Sequence, residues 1–174
     1  LTRRAYAMGM PAATDQRYWT PEDVWALPDD GNRYECIDGR LFVTPAPTFA
    51  HQRLALAFWK RLASWADRRG LGEALVAPAD VRLAITTLVQ PDVFVTRPRA
   101  DGSLPTEEDR DLRLHLAIEI LSPSTARTDR TVKRVCYVNA GVEYWIVDPT
   151  ARLVERWRPG DARPEIVTDS LTWQ

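Results

Sequence analysis

Apolar and polar positions alternate along this chain in two rhythms. A period of two runs through 80–85, where Val81, Leu83 and Ile85 share one face, and this predicts a strand. Strands are also expected at 73–77, 89–96, 114–121, 143–147 and 153–157, with 165–168 pairing with the last. A helical rhythm appears from about 48 to 69, where Leu54, Phe58, Leu62 and Trp65 recur at one face and Gly70 stops the helix. A second helix is predicted over about 128–140, closed by Gly141. At about 100° per residue, Val132, Val135, Cys136 and Ala140 make an apolar arc expected to face the sheet. Asp129, Lys133 and Tyr137 fall at the edge of that arc, one turn apart.

Turn chemistry completes the outline. Thr20 is a natural N-cap for a short helix over 21–27, with Pro21 first and Glu22 and Asp23 in the opening turn. Asp38-Gly39 between the runs 33–37 and 40–44 predicts a hairpin. Pro45-Ala46-Pro47 breaks the sheet, and 97–113 reads as an exposed polar loop. The order predicts an α/β fold with a central mixed β-sheet flanked by helices and extra N-terminal and C-terminal β-hairpins. Residues 20–174 are expected to form one domain, preceded by a flexible leader over 1–19 in which Met8 or Met10 is a candidate start.

Composition narrows the function classes. The 174 residues carry a net charge of −1, so no overall field draws the chain to a polyanion, and a nucleic-acid partner needs a local basic groove. Cys36 and Cys136 lie far apart in apolar surroundings, as reduced core thiols of a cytoplasmic protein do. No apolar run approaches the ~20 residues of a membrane span, and no secretory h-region opens the chain. Of 23 basic residues only Lys60 and Lys133 are lysine. A chain so biased toward arginine keeps lysine where a compact ammonium of tunable pKa is wanted, although Lys60 shares the exception.

The stretch "IEILSPST" (118–125) puts a carboxylate inside the most buried-looking strand. Strand alternation sets Leu114, Leu116, Ile118 and Ile120 on one face and His115, Ala117, Glu119 and Leu121 on the other. A charge there needs a partner, and a salt bridge to an arginine is the plain alternative. A second acid, Asp92, heads another apolar strand behind Pro91. If the two strands are neighbours, the carboxylates repel until a proton or a hard cation such as Mg²⁺ or Mn²⁺ sits between them. Lys133 emerges at the boundary of the buried zone, either as an i,i+4 partner of Asp129 or as a functional amine. Two acids, a hard cation and a lysine make a set able to cleave phosphodiesters.

At these residues the chain resembles the PD-(D/E)XK, restriction-endonuclease-like superfamily, and within it the bacterial Uma-two family. The resemblance rests on "YECIDGRL" (34–41), "PAPTFAHQ" (45–52), "QPDVFV" (90–95), "IEILSPST" (118–125), "DRTVKRVCY" (129–137) and "GVEYWIVDP" (141–149). It implies a restriction-endonuclease-like core, with Asp92, Glu119 and the backbone carbonyl of Ile120 as metal ligands. The usual lysine two positions after the glutamate is Leu121 here, and the resemblance moves that role to Lys133. Glu35 matches the family's upstream acid, with an exposed hairpin acid as the alternative. His51 opens the long helix and is a candidate for phosphate contact. Asp129 and Tyr137 are candidate supports of Lys133. His115 replaces a frequent acid; it is expected to point the same way as Glu119, as a plain histidine or as an influence on metal choice. Arg127, Arg130 and Arg134 are candidates for a nucleic-acid groove.

The expected function is therefore a divalent-metal-dependent endonuclease acting on DNA through an activated water, with a homodimer or another partner supplying affinity. A catalytically silent nuclease-fold scaffold is the alternative. An inverting hydrolase using two acids without metal is disfavoured by the lysine and the lack of a sugar-binding aromatic cluster. Target sequence, strandedness and biological role are not encoded legibly.

Overall fold

The computed structural model describes residues 17–106, 109 and 112–173. Residues 1–16 of the leader expected over 1–19, and part of the polar loop, lie outside these residues. Thr20 caps α1 (Pro21–Trp25) in a full capping box: its hydroxyl accepts the Asp23 N–H, and Asp23 reaches back to the Thr20 N–H. The hairpin of β1 (Arg33–Ile37) and β2 (Arg40–Thr44) turns at Asp38 and Gly39, both left-handed. Helix α2 (Phe49–Asp67) follows, capped by Thr48, and buries Ala55, Leu62 and Ala66.

Next come β3 (Ala74–Val76), β4 (Val81–Ala84), β5 (Thr87–Val89), β6 (Val93–Thr96) and β7 (Leu114–Ile120). The single strand expected over 89–96 is two strands in two sheets. Gln90-Pro91-Asp92 carries the chain from one to the other, because Pro91 offers no N–H to a ladder. The helical run after β7 is composite: α3 (Ala126–Thr128), a π-helical turn (Asp129–Lys133) and α4 (Arg134–Asn139). The chain closes with β8 (Glu143–Asp148), β9 (Leu153–Trp157) and β10 (Glu165–Val167).

Four strands form an antiparallel sheet in the order β2-β1-β5-β4, and six form a mixed sheet in the order β10-β9-β8-β7-β6-β3. Only β7 and β8 run parallel in the larger sheet, joined by the helical crossover. One face of this sheet packs Val93, Val95, Leu116, Ile118 and Ile120 against α2. The other packs Phe94, Ala117, Tyr144 and Ile146 against Tyr137 and against Ile37, Val81 and Val89 of the smaller sheet. The layers are thus helix, sheet, and then the small sheet together with the crossover helix. No helix among the described residues is long and apolar enough to cross a membrane.

Two local expectations change. The crossover helix buries Asp129, Lys133 and Tyr137, while Val135 is 44% exposed and Ala140 is exposed. The apolar arc does not face the sheet squarely, because Lys133 is turned inward to Glu35 and Glu119. Second, the pairing of β7 with β6 slips by one residue, from Leu116 opposite Val95 to Leu114 opposite Thr96. This bulge breaks the alternation. Leu114 joins the core on the Tyr137 face, and His115 lies edge-on to Trp173 in the core on the α2 face. His115 therefore does not share a face with Glu119, contrary to the alternation.

Candidate active site

The site is built where the small sheet, the end of the large sheet and the crossover helix meet. Val93 pairs with Ile118, which sets Asp92, just before β6, beside the end of β7. The Ile120 N–H donates to Asp92 Oδ2 at 2.8 Å, so the side chain takes over the next rung of the ladder. Glu119 is 2% exposed and Asp92 3%. Glu35 comes from the middle of β1, is equally buried, and accepts the Gln90 N–H at 2.7 Å. The two sheets thus each contribute acids to one place.

Lys133 Nζ lies 2.8 Å from Glu35 Oε1, 2.9 Å from Glu119 Oε1 and 3.9 Å from Asp129 Oδ1. The plain i,i+4 partner is the most distant of the three. Lys133 is 4% exposed, whereas Lys60 is exposed, so the arginine bias isolates one buried lysine. The Tyr137 hydroxyl donates to Glu119 Oε1 at 3.3 Å, and Tyr137 stacks on Tyr144 with centroids 4.8 Å apart. Tyr144 donates to the Asp129 carbonyl at 3.2 Å, fixing the π-helical turn from below. Asp129 and Lys133 both face inward from that turn, in which the Arg134 N–H reaches back five residues to Asp129 O.

Asp92 has partners of its own. Arg33 Nη1 donates to Oδ1 at 2.8 Å, and His51 Nε2 lies 2.9 Å from Oδ2. The same His51 nitrogen is 3.1 Å from the Ile120 carbonyl oxygen. Its N–H thus points between the carboxylate and the carbonyl that the family resemblance assigns to a metal. His51 is held there by its place in the first turn of α2, where its N–H donates to Thr48 Oγ1. Arg33 escaped the sequence reading. Its signal was available: on a strand, Arg33 and Glu35 share a face.

The electrostatics follow from burial. Burial pushes Glu119 well above the usual carboxylate range; the Lys133 ammonium opposes this, and Asp92 adds to it. Asp129 is pushed up to about 6, chiefly by burial, with the Lys133 ammonium and the Thr125 side chain opposing. Burial also works against charge on Asp92, but His51, Arg33 and the Ile120 N–H outweigh it and hold its pKa below the usual value. Burial alone lowers the Lys133 pKa, yet Glu119, Glu35 and Asp129 raise it well above normal, so it stays an ammonium.

Four acids (Glu35, Asp92, Glu119, Asp129) thus face two fixed cations, Arg33 and Lys133. Fully ionised, the cluster is two charges short of balance, which protons or one divalent cation can supply. The available donors are carboxylate and carbonyl oxygens, which suit a hard ion. No group of three or more His, Cys, Asp or Glu side chains among the described residues is placed to hold a metal ion by itself. Mg²⁺ does not require one, since it keeps several waters and binds through one or two carboxylates. The residues present fit such an ion.

The proposed groove arginines are not gathered at this cluster as free charges. Arg130 is paired with Asp148 at 2.8 Å and Glu155 at 2.7 Å. Arg134 lies over the Trp157 ring at 4.5 Å and donates to the Arg130 carbonyl. Arg127 is exposed one turn before the π-helical segment.

A family model described as "Putative restriction endonuclease", Uma2, matches residues 21–172. A search of curated proteins found no match. Among solved structures, one from Anabaena variabilis titled a "putative nuclease" superimposes with a TM-score of 0.70 at 20% identity. The match covers 87% of this chain and 85% of that one, and at this identity it speaks for the fold. The family match runs over nearly the whole chain: this protein belongs to the Uma2 family, described as putative restriction endonucleases.

Proposed function

We propose that this protein is a divalent-metal-dependent endonuclease that hydrolyses phosphodiester bonds in DNA. The observation that carries the reading is the buried meeting of Asp92, Glu119 and Glu35 with Lys133, two charges short of neutrality. Asp92, Glu119 and the Ile120 carbonyl are the residues that would hold the ion. When bound, it would polarise a phosphoryl oxygen and make a water acidic enough to attack. Arg33 and His51 position Asp92, and His51 also orients the Ile120 carbonyl. Lys133, fixed by Glu35, Glu119 and the helix turn beneath it, presents its ammonium to the charge that builds on phosphorus. Tyr137 holds Glu119 in register by its hydroxyl.

The test is cutting of plasmid and single-stranded DNA with Mg²⁺, Mn²⁺ or EDTA. Metal-dependent cutting is expected, lost by at least about a hundredfold in Asp92→Ala and in Glu119→Ala. A protein that cuts neither substrate under any metal is a scaffold and sinks the reading.

A further inference from the structure

The catalytic cluster says where a bond is cut, not where the rest of the strand lies. Helix α2 packs over β3, β6 and β7, and beyond it Leu171 and Trp173 pack on the same face of the sheet. Over β8 and β9 lies an open cleft of about 680 Å³, between α2 and the segment 167–171. Its walls include Leu54, Phe58, Val147, Val154 and Leu171, an apolar surface. The cleft adjoins the site at two points. Leu54 lies one helical turn beyond His51, and the Val147 carbonyl accepts the N–H of Leu121, next to Ile120.

Two arginines line this cleft without an ion pair among the described residues, Arg61 and Arg152. Arg61 donates only to Ala57 O in its own helix, at 3.3 Å. Arg152 sits in the β8–β9 turn at φ 56°, a left-handed conformation that favours glycine and strains any side chain. Of the acids at the cleft, Asp148 is committed to Arg130 and to the N–H groups of Thr150 and Ala151, which leaves Asp169. With Asp148 held by Arg130, the charges the cleft has to offer a ligand are Arg61 and Arg152 against Asp169, a local positive excess on a chain of net charge −1.

We infer that this cleft holds a single nucleic-acid strand running from the site, its phosphates on Arg61 and Arg152 and a base against the apolar wall. The inference rests on the nuclease reading for its substrate class. Guanidiniums over an apolar floor suit an unstacked strand, whose bases are free to lie on a surface; a duplex keeps its bases inside.

The test is anisotropy of a short labelled oligothymidine in EDTA, where nothing is cut, across a salt series. The Arg61→Ala/Arg152→Ala variant should bind about tenfold more weakly, with the log–log salt slope shallower by about 1.4, the value for two lost single-strand phosphate contacts. Arg152→Gly should lose about half of that slope while melting no lower than the parent, since it relieves a left-handed backbone. Arg163→Ala, exposed and outside the cleft, should change nothing. Metal-dependent cleavage of bis(p-nitrophenyl) phosphate, too small to reach the arginines, should survive in the double variant. If the binding loss appears but the parent cuts no substrate, the cleft stands and the nuclease reading falls. If the parent cuts yet the double variant binds oligothymidine with unchanged affinity and slope, the cleft proposal is overturned. It is equally overturned if the parent binds no oligothymidine, or if the variant alters only self-association.

Discussion

Lys133 keeps its charge in a nearly dry place because Glu35 and Glu119 lie within hydrogen-bond distance of its ammonium. Lys133→Met should therefore destabilise the fold by about 3–5 kcal/mol, the cost of leaving buried carboxylates uncompensated, read by urea unfolding. Asp129 is the opposite case. Its pKa is raised to about 6 from an ordinary 3.8, mainly by burial. A group raised in the folded state favours folding while protonated, so its contribution is whole below about pH 4 and is lost as pH rises through about 6. At pH 7 the ionised Asp129 is a liability of order 3 kcal/mol. Asp129→Asn should raise stability at pH 7 and leave it unchanged at pH 3.5; lower stability at pH 7 would show that Lys133 depends on this carboxylate. Cys136, also raised by burial, to about 11, should carry about one thiolate in a thousand at pH 8. A thiol reagent should titrate it slowly until the protein is unfolded. The acids and the lysine were legible because each is an anomaly in its local pattern. Arg33 was passed over because one more arginine among many is no anomaly; its one local cue is that it shares a strand face with Glu35, and its partner Asp92 lies just before another strand.

Among the elements, those whose cues are local came out nearly as read. Thr20 with Asp23, Asp38-Gly39 and the α2 stripe specify α1, the first hairpin and the long helix from adjacent residues. Elements decided by their neighbours did not. The bulge at His115 depends on how β6 pairs, and the buried row of the crossover helix depends on carboxylates from β1 and β7. Gly72 shows how tightly such neighbours constrain the backbone. At φ 113°, an added Cβ would stand 1.9 Å from the Thr96 carbonyl oxygen. Gly72→Ala should cost at least about 3 kcal/mol, combining a left-handed backbone with a backbone clash, and a loss below about 1 kcal/mol would contradict this packing of α2's exit on β6.

On the scale of the molecule, the site is a junction. Glu35 belongs to the small sheet, Asp92 to the crossing between sheets, Glu119 to the large sheet and Lys133 to the crossover helix. A divalent cation that binds here should therefore hold the whole assembly together, not one loop. With Mn²⁺ at about a hundred times its dissociation constant, stability should rise by about 2.7 kcal/mol, seen as a higher melting temperature. Asp92→Asn combined with Glu119→Gln should abolish the rise without any assay of cutting. A rise that persists in that variant would place the ion elsewhere.

By itself the sequence determined the α/β class, the hairpin at Asp38-Gly39, the long amphipathic helix and the identity of the acids and the lysine. All of these are written in short windows, where periodicity, capping and a misplaced charge are visible. Only the tertiary structure decided that Val89 and Val93 belong to different sheets, that His115 turns away from Glu119, and that Arg33 and His51 grip Asp92. It also committed Arg130 and Arg134 to partners of their own and left Arg61 and Arg152 facing a cleft. The physical reason is the range of the forces involved. Backbone preference and burial pattern act between residues a few positions apart, whereas the pairing of a buried charge is settled by whichever distant strand brings its counter-charge within 3 Å.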